Sequence, residues 1–344
     1  VTSCTTALHL SLAAFGFGPG DEAIVPAFTW ISTANVVEHL GGRVVFADID
    51  LASFNIDPAG IEALITPRTK AILPVHLFGL AADMDAINAI AERHGLWVVE
   101  DAACGFGATF QGRHVGNLGH TGCFSFHPRK AITTGEGGMI TTNDGQLAER
   151  LRRLRDHGAA MSDLQRHLGP KPYLLADHPD AGYNQRMTDL QAALGAAQMQ
   201  RAEAIVAERR HLAARYDAVF ADLDWLQTPV APAGYGHGYQ SYPCLFEPEQ
   251  VHQAIQNGDQ HQLIAVHERR NAWMEALQQQ GVSTRPATHA VHMLSYYREK
   301  YHLKPEQFSA AQAANNCSIS LPLFHGIKQE EQQHVINIVK SRNM

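Results

Sequence analysis

Along the first two-thirds of the chain, short apolar runs rich in β-branched residues alternate with stretches of helical period. The runs Glu22–Phe28, Arg43–Asp50, Thr69–Leu77, Leu96–Ala102, Thr121–His127 and Gly138–Thr142 predict strands. Between and around them, Thr5–Phe15, Trp30–Leu40, Pro58–Ile65, Met84–His94 and Gly145–Asp156 predict helices. This alternation is the signature of an α/β fold: a mainly parallel sheet with helices on both faces. A turn containing Gly, Pro, Ser or Asp follows each strand, so helix N-termini gather at the C-terminal edge of the sheet. Ligands bind at that edge in such folds.

The pattern changes further on. Thr188 to about Ala218 reads as one long helical stretch, opened by Thr188 with Gln191 three residues later, a capping-box signature. Beyond it, Gln240–Phe246, Val282–Arg285 and Ser318–Leu321 predict strands among the helices Gln262–Gln280 and Lys328–Lys340. Tyr235–Tyr239 is the expected connection. The expectation is a large domain over residues 1–220, including the long helix, and a smaller α+β domain over residues 221–344. No internal repeat or low-complexity tract interrupts this plan.

Composition narrows the function classes. The 344 residues are 45% hydrophobic and 18% charged, as in a chain with a large core. With 27 basic and 34 acidic residues the formal charge is −7, and no Lys/Arg block offers a footprint for duplex nucleic acid. Apolar runs fall short of a bilayer span and no signal-peptide pattern opens the chain, which predicts a soluble, cytoplasmic protein. Five cysteines without paired spacing fit a reducing compartment, and the 20 histidines form no HxxxH or HExxH pair, so no metal is expected.

Three local signals carry candidate chemistry. Ser125 and Lys130 lie in Phe124-Ser125-Phe126-His127-Pro128-Arg129-Lys130, ahead of a Thr/Gly-rich turn, Thr133-Thr134-Gly135-Glu136-Gly137-Gly138. A lysine just past a buried strand is placed to form a Schiff base, although an isolated one reads far more readily as a solvated turn residue. Asp101 ends the apolar run Val98-Val99-Glu100-Asp101, where a carboxylate can hold a heterocyclic nitrogen protonated or cap a following helix. Ser3-Cys4-Thr5-Thr6 opens an amphipathic helix, an anion cradle or simply a cap. Together, the cradle, the strand-end carboxylate and a lysine 29 residues after it are the parts that a pyridoxal 5'-phosphate enzyme requires.

Over nearly its whole length the chain also resembles the sugar aminotransferases of the DegT/DnrJ/EryC1/StrS group. The resemblance rests on Pro26-Ala27-Phe28-Thr29-Trp30, Val45-Phe46-Ala47-Asp48-Ile49-Asp50, Pro74-Val75-His76-Leu77-Phe78-Gly79, Glu100-Asp101-Ala102-Ala103, the Lys130 segment, Gly182-Tyr183-Asn184-Gln185-Arg186-Met187-Thr188-Asp189 and Leu321-Pro322-Leu323. It implies the type I fold of pyridoxal phosphate-dependent transferases, with Lys130 as the Schiff-base lysine and Asp101 at the ring nitrogen. Cys4, Thr5 and Ser125 would hold the phosphate, Trp30 would stack on the ring, and Cys104 would face the cofactor hydroxyl. Asn184 would reach the phosphate of a neighbouring subunit, implying a homodimer with shared sites. Taken alone, Trp30 also reads as a core residue and Asn184 as an Asx turn.

The match has departures. Cys4 stands where a Gly is usual, Cys104 where Gln or His is common, and Ala287-Thr288 where many members carry His-Tyr. Members also have several dozen residues ahead of the Ser3-Cys4-Thr5 motif, which implies that a segment preceding Val1 is missing from this sequence. Substrate candidates are Arg285, His289, His292 and Tyr296, which read equally as the edge of a surface helix.

The resulting expectation is amino transfer from glutamate to a nucleotide-diphosphate keto-sugar, a 4-keto-6-deoxyhexose by analogy. A dehydratase acting on the same sugars is the nearest alternative, but relatives of that kind replace the lysine by histidine. A catalytically silent regulatory homologue is disfavoured by the presence of Lys130, Asp101 and Ser125. A Rossmann oxidoreductase is disfavoured because no GxGxxG follows the first strand.

Overall fold

Six strands build the central sheet: β1 (Glu22–Pro26), β2 (Arg43–Ala47), β3 (Thr69–Ile72), β4 (Trp97–Asp101), β5 (Thr121–Ser125) and β6 (Gly138–Thr141). Their spatial order is β2-β1-β3-β4-β5-β6, with every neighbouring pair parallel except β5 and β6. All five residues of β1 are buried, as expected of a parallel strand covered on both faces. The computed structural model describes residues 1–161 and 163–341. The expected α/β class, mainly parallel and flanked by helices, is the observed one.

Helix α1 (Cys4–Ala14) is capped by Ser3, whose Oγ accepts the Thr6 N–H at 3.1 Å. Its buried residues include Ala7, Leu8, Leu10, Ser11 and Leu12, so it runs through the core rather than over it. Helices α2 (Ser32–His39), α3 (Met84–His94) and α4 (Gly145–Leu154) follow, the last two capped by Asp83 and Asp144. Pro58–Ile65 forms two 3-10 turns, Pro58–Gly60 and Glu62–Leu64, instead of the predicted helix. Pro58 suits a first turn, while Gly60 and the short span give little support to a longer one.

The predicted long helix is two: α5 (Asp189–Met199), with the Thr188–Gln191 capping box present, and α6 (Ala202–Phe220). The break falls at Gln200 and Arg201, the latter at φ −111° and ψ 7°. A second, antiparallel sheet has the order β7 (Leu226–Gln227), β8 (Tyr242–Phe246), β9 (Ser318–Leu321). Around it lie α7 (Pro248–Asn257), α8 (Gln260–Gln279), α9 (Ser295–Tyr301), α10 (Ser309–Cys317) and α11 (Gln329–Lys340). Val282–Arg285 is not a strand; Arg285 alone bridges to Ser320, and Pro286 cannot donate to extend the ladder.

Two short pairings tie the later chain to the earlier. Tyr235–Gly236, the expected connection, pairs with Thr109–Phe110, and His289–Ala290 pairs with Phe28–Thr29. One hydrophobic cluster runs from Leu8 and Val25 through Tyr216 and Phe246 to Val339, joining both sheets. Among the described residues, no helix is long and apolar enough to cross a membrane.

Candidate active site

Successive residues of a strand face opposite sides, and the end of β4 uses this to separate two carboxylates. Glu100 faces a closed pocket, where it accepts from His76 Nε2 at 2.8 Å and from the N–H groups of Gly116, Leu118 and Gly119 at 2.6–2.8 Å. His76 Nδ1 accepts the Ala82 N–H, so the ring proton sits on Nε2 and is donated to Glu100. Burial alone would raise the Glu100 carboxyl; these donors outweigh it and hold the group below its ordinary range.

Asp101, also buried, faces α1 and α2. Its Oδ2 accepts from Thr33 Oγ1 at 2.7 Å and its Oδ1 from the Ala103 N–H at 3.0 Å; the single Cys4 thiol proton is shared between Oδ1 at 3.7 Å and the Cys123 carbonyl at 3.2 Å. Turns rather than a helix follow Asp101, which removes the helix-cap reading. Burial first, then the Asp101 charge, pushes the Cys4 thiol well up, so Cys4 stays a neutral donor.

Lys130 sits half-buried in the turn after β5, with Nζ donating to Cys104 Sγ at 3.1 Å. Burial would lower its ammonium, but Cys104 and Asp101 outweigh it and raise the group above the ordinary lysine value. The structure thus brings Lys130, Cys104, Cys4 and Asp101 to one place.

The start of α1 lies against the end of the sheet beside them. Ser125 pairs with Gly138 across β5 and β6, and the Gly138 N–H donates to the Val1 carbonyl at 2.9 Å. A Cβ at Gly138 would lie 2.5 Å from the Ser3 carbonyl group, so only glycine lets the start of α1 approach this closely. Ser125, Cys4 and Thr5 therefore meet at one sheet edge, where the first N–H groups of α1 have no intrahelical acceptor. Thr5 Oγ1 donates to Ser32 Oγ at 3.0 Å, linking α1 to α2.

Trp30 is 54% exposed, which rules out the core reading, and its ring lies 5.8 Å from that of His289. The pairing of His289–Ala290 with Phe28–Thr29 brings that histidine in. Of the other substrate candidates, Arg285 is exposed and Tyr296, half exposed on α9, donates to Glu38 at 3.3 Å. His292 departs from expectation: it has no exposure, packs at a tilt against Phe308 and directs Nε2 to the Pro305 carbonyl. It is a packing residue because the turn Val291–Met293 points inward. Asn184 is exposed, its backbone bridged to Asp156.

Sequence reasoning missed Thr33. Its position as the second residue of α2 gives no local signal; only the meeting of α2 with β4 makes it a partner of Asp101. Among the described residues, no three His, Cys, Asp or Glu side chains are grouped to hold a metal ion.

Pyridoxal 5'-phosphate fits the groups present. A helix N-terminus lined by hydroxyls suits its dianion, a buried carboxylate with a fixed orientation suits its ring nitrogen, and a half-buried amine suits its aldehyde. The comparisons agree. The chain is 40% identical over 333 residues to the GDP-perosamine synthase of Caulobacter vibrioides, covering 96% of this chain and 82% of that protein. DesV of S. venezuelae, solved with a ketimine intermediate, superposes with a TM-score of 0.84 at 32% identity, over 99% of this chain and 83% of that one. Spr1654 of Streptococcus pneumoniae, described as a sugar aminotransferase and solved in PMP and PLP forms, gives 0.87 for the PMP form at 26% identity, over 98% and 86%. Residues 1–340 match the DegT/DnrJ/EryC1/StrS aminotransferase family, and the chain belongs to this family of pyridoxal phosphate-dependent sugar aminotransferases.

Proposed function

We propose that this enzyme transfers the amino group of glutamate to a nucleotide-diphosphate keto-sugar, a 4-keto-6-deoxyhexose, in the cytoplasm. The observation that carries the reading is the Lys130 amine, half-buried at 3.1 Å from Cys104 Sγ, on the side of the sheet where Asp101 is held by Thr33 and Cys4. The name of the GDP-perosamine synthase relative supports a nucleotide-linked acceptor.

When bound, pyridoxal phosphate supplies an electron sink conjugated to the reacting carbon. Asp101 would keep the ring nitrogen protonated, with Thr33 and the Ala103 N–H fixing its orientation. Cys4, Thr5 and Ser125 would hold the phosphate, Trp30 would cover a ring face, and Cys104 would face the ring hydroxyl. Lys130 would hold the cofactor's aldehyde end, and its Nζ would serve as the acid and base that moves a proton at the donor α-carbon. Arg285, His289 and Tyr296 are assigned to the substrate side, where a cation meets the diphosphate.

Residues 1–220 would act as the cofactor-binding unit and 221–344 as the smaller substrate-side unit. A homodimer is supported by the apolar face that α5 leaves open: Leu190 is 86% exposed, and Leu194 and Met199 about half. Asn184 lies shortly before that helix, exposed, and would reach the partner's phosphate site.

The test is a two-step turnover. Glutamate alone should bleach the holoenzyme's visible absorption and release one 2-oxoglutarate per site; a panel of nucleotide keto-sugars should then restore it. Nitrogen from labelled glutamate should appear in the sugar. A deoxygenated sugar without that nitrogen would indicate the dehydratase, and no bleaching with any amino donor would indicate a silent homologue.

A further inference from the structure

Lys130 lies in a turn whose backbone is held from two sides by glutamine side chains. Gln240, just ahead of β8, accepts the Ala131 N–H on Oε1 at 3.2 Å and donates from Nε2 to the Arg129 carbonyl at 2.8 Å. Gln198, near the end of α5, accepts the Thr133 N–H on Oε1 at 3.1 Å and donates from Nε2 to the Thr133 carbonyl. A primary amide carries one donor face and one acceptor face, so each glutamine substitutes for a neighbouring strand.

The approach of α5 is independently built for this. A Cβ on Gly195, one turn before Gln198 on the same face, would lie 2.9 Å from Thr134 Cγ2. The helix can seat Gln198 on the turn only because residue 195 has no side chain. Inside the turn, the Lys130 N–H donates to the His127 carbonyl and the Thr134 N–H to the Phe126 carbonyl, both at 2.9 Å. Pro128 and Arg129 are exposed and the buried anchors Ile132 and Thr134 come only after Lys130, so next to the lysine the backbone depends on these internal bonds and the two amides.

We propose that Gln198 and Gln240 are positioning residues for Lys130. The lysine side chain must let go of the cofactor and return to it in each catalytic cycle, so its own torsions stay free. Precision then has to come from the backbone, and the two amides hold the Cα of Lys130 from both sides. The clamp also joins three separate parts of the chain: α5, the segment before β8 and the turn after β5. The proposal rests on the reading of Lys130 as the cofactor-bearing amine.

Amide hydrogen exchange of the apoprotein, resolved at Ala131 and Thr133, tests the clamp without turnover. Gln240→Ala should speed exchange at Ala131, and Gln198→Ala at Thr133, by about tenfold, with β4 and β5 unchanged. Capture of added pyridoxal phosphate by each apoprotein should slow by about tenfold as Nζ spreads over more positions. Gln240→Glu, which still offers an acceptor to Ala131, should recover part of the lost rate, and Gln240→Leu none. Unchanged exchange and capture in both alanine variants would overturn the proposal, as would loss of protection spread through β4 and β5. Borohydride reduction of the wild-type holoenzyme separates the two claims. A pyridoxyl group on another lysine defeats the Lys130 reading, whereas a group on Lys130 with unaltered variants defeats only the clamp.

Discussion

Thr33 Oγ1 donates to Asp101 Oδ2 at 2.7 Å, joining the first turn of α2 to the end of β4. Both groups are buried, so water cannot replace the bond when the hydroxyl is lost. Thr33→Val keeps the shape and removes the donor, leaving a buried carboxylate oxygen short of a partner. The cost is about 1–3 kcal/mol, expressed at the cofactor's ring nitrogen. We expect weaker pyridoxal phosphate binding and a glutamate half-reaction slowed by about tenfold. Spectrophotometric titration and stopped-flow bleaching of the variant check this, and wild-type values in both would remove Thr33 from the account.

The Asp101 carboxylate itself should matter more to rate than to folding. Asp101→Asn retains the volume and the Ala103 contact but leaves the ring nitrogen without an anionic partner. The half-reaction should slow by orders of magnitude while the melting temperature changes little. Near-native turnover would mean that another acid serves the ring.

Glu100 should govern acid stability instead. Its folded pKa is held below the ordinary carboxylate range, because His76 and three backbone donors outweigh burial. A depressed carboxylate pKa stabilises the fold above the unfolded value of about 4.3, and the benefit is lost as pH falls through the lower folded value. Glu100→Gln places an amide N–H among N–H donors. It should cost ~3 kcal/mol at neutral pH and flatten the acid limb of the stability curve. Urea denaturation of both proteins from neutral to acid pH measures it; equal acid limbs would show that Glu100 titrates as if unfolded.

How much of this was legible in the sequence follows from where the determining contacts lie. The six central strands were readable because buried parallel strands are nearly continuous apolar runs, and the caps Asp83, Asp144 and Thr188 act within a few residues of themselves. Lys130 and Asp101 were visible because each follows an apolar strand. The break at Arg201 carries no Gly or Pro, so the helical period runs through it unmarked. His292 looked like a surface cation beside Arg285 and His289, yet packing against Phe308 turns it inward. Thr33, Gln198 and Gln240 gain their partners from elements 68, 65 and 109 residues away, and no local pattern encodes that.

The proposed sharing of sites between subunits makes a prediction about mixtures. If Asn184 serves the partner's phosphate, Asn184→Ala and Lys130→Ala are each inactive homodimers. Subunit exchange between them should give hybrids with one site intact and one doubly defective, recovering part of the wild-type activity. Heterodimers seen by native mass spectrometry without any activity would place Asn184 in its own subunit's site or outside both.

The identity of the lysine is the most direct test of the whole account. Reduction of the holoenzyme with borohydride, digestion and peptide mapping should place a single pyridoxyl group on Lys130, and Lys130→Ala should show none while keeping its fold. A pyridoxyl group on any other lysine, or one that persists in Lys130→Ala, would contradict the account.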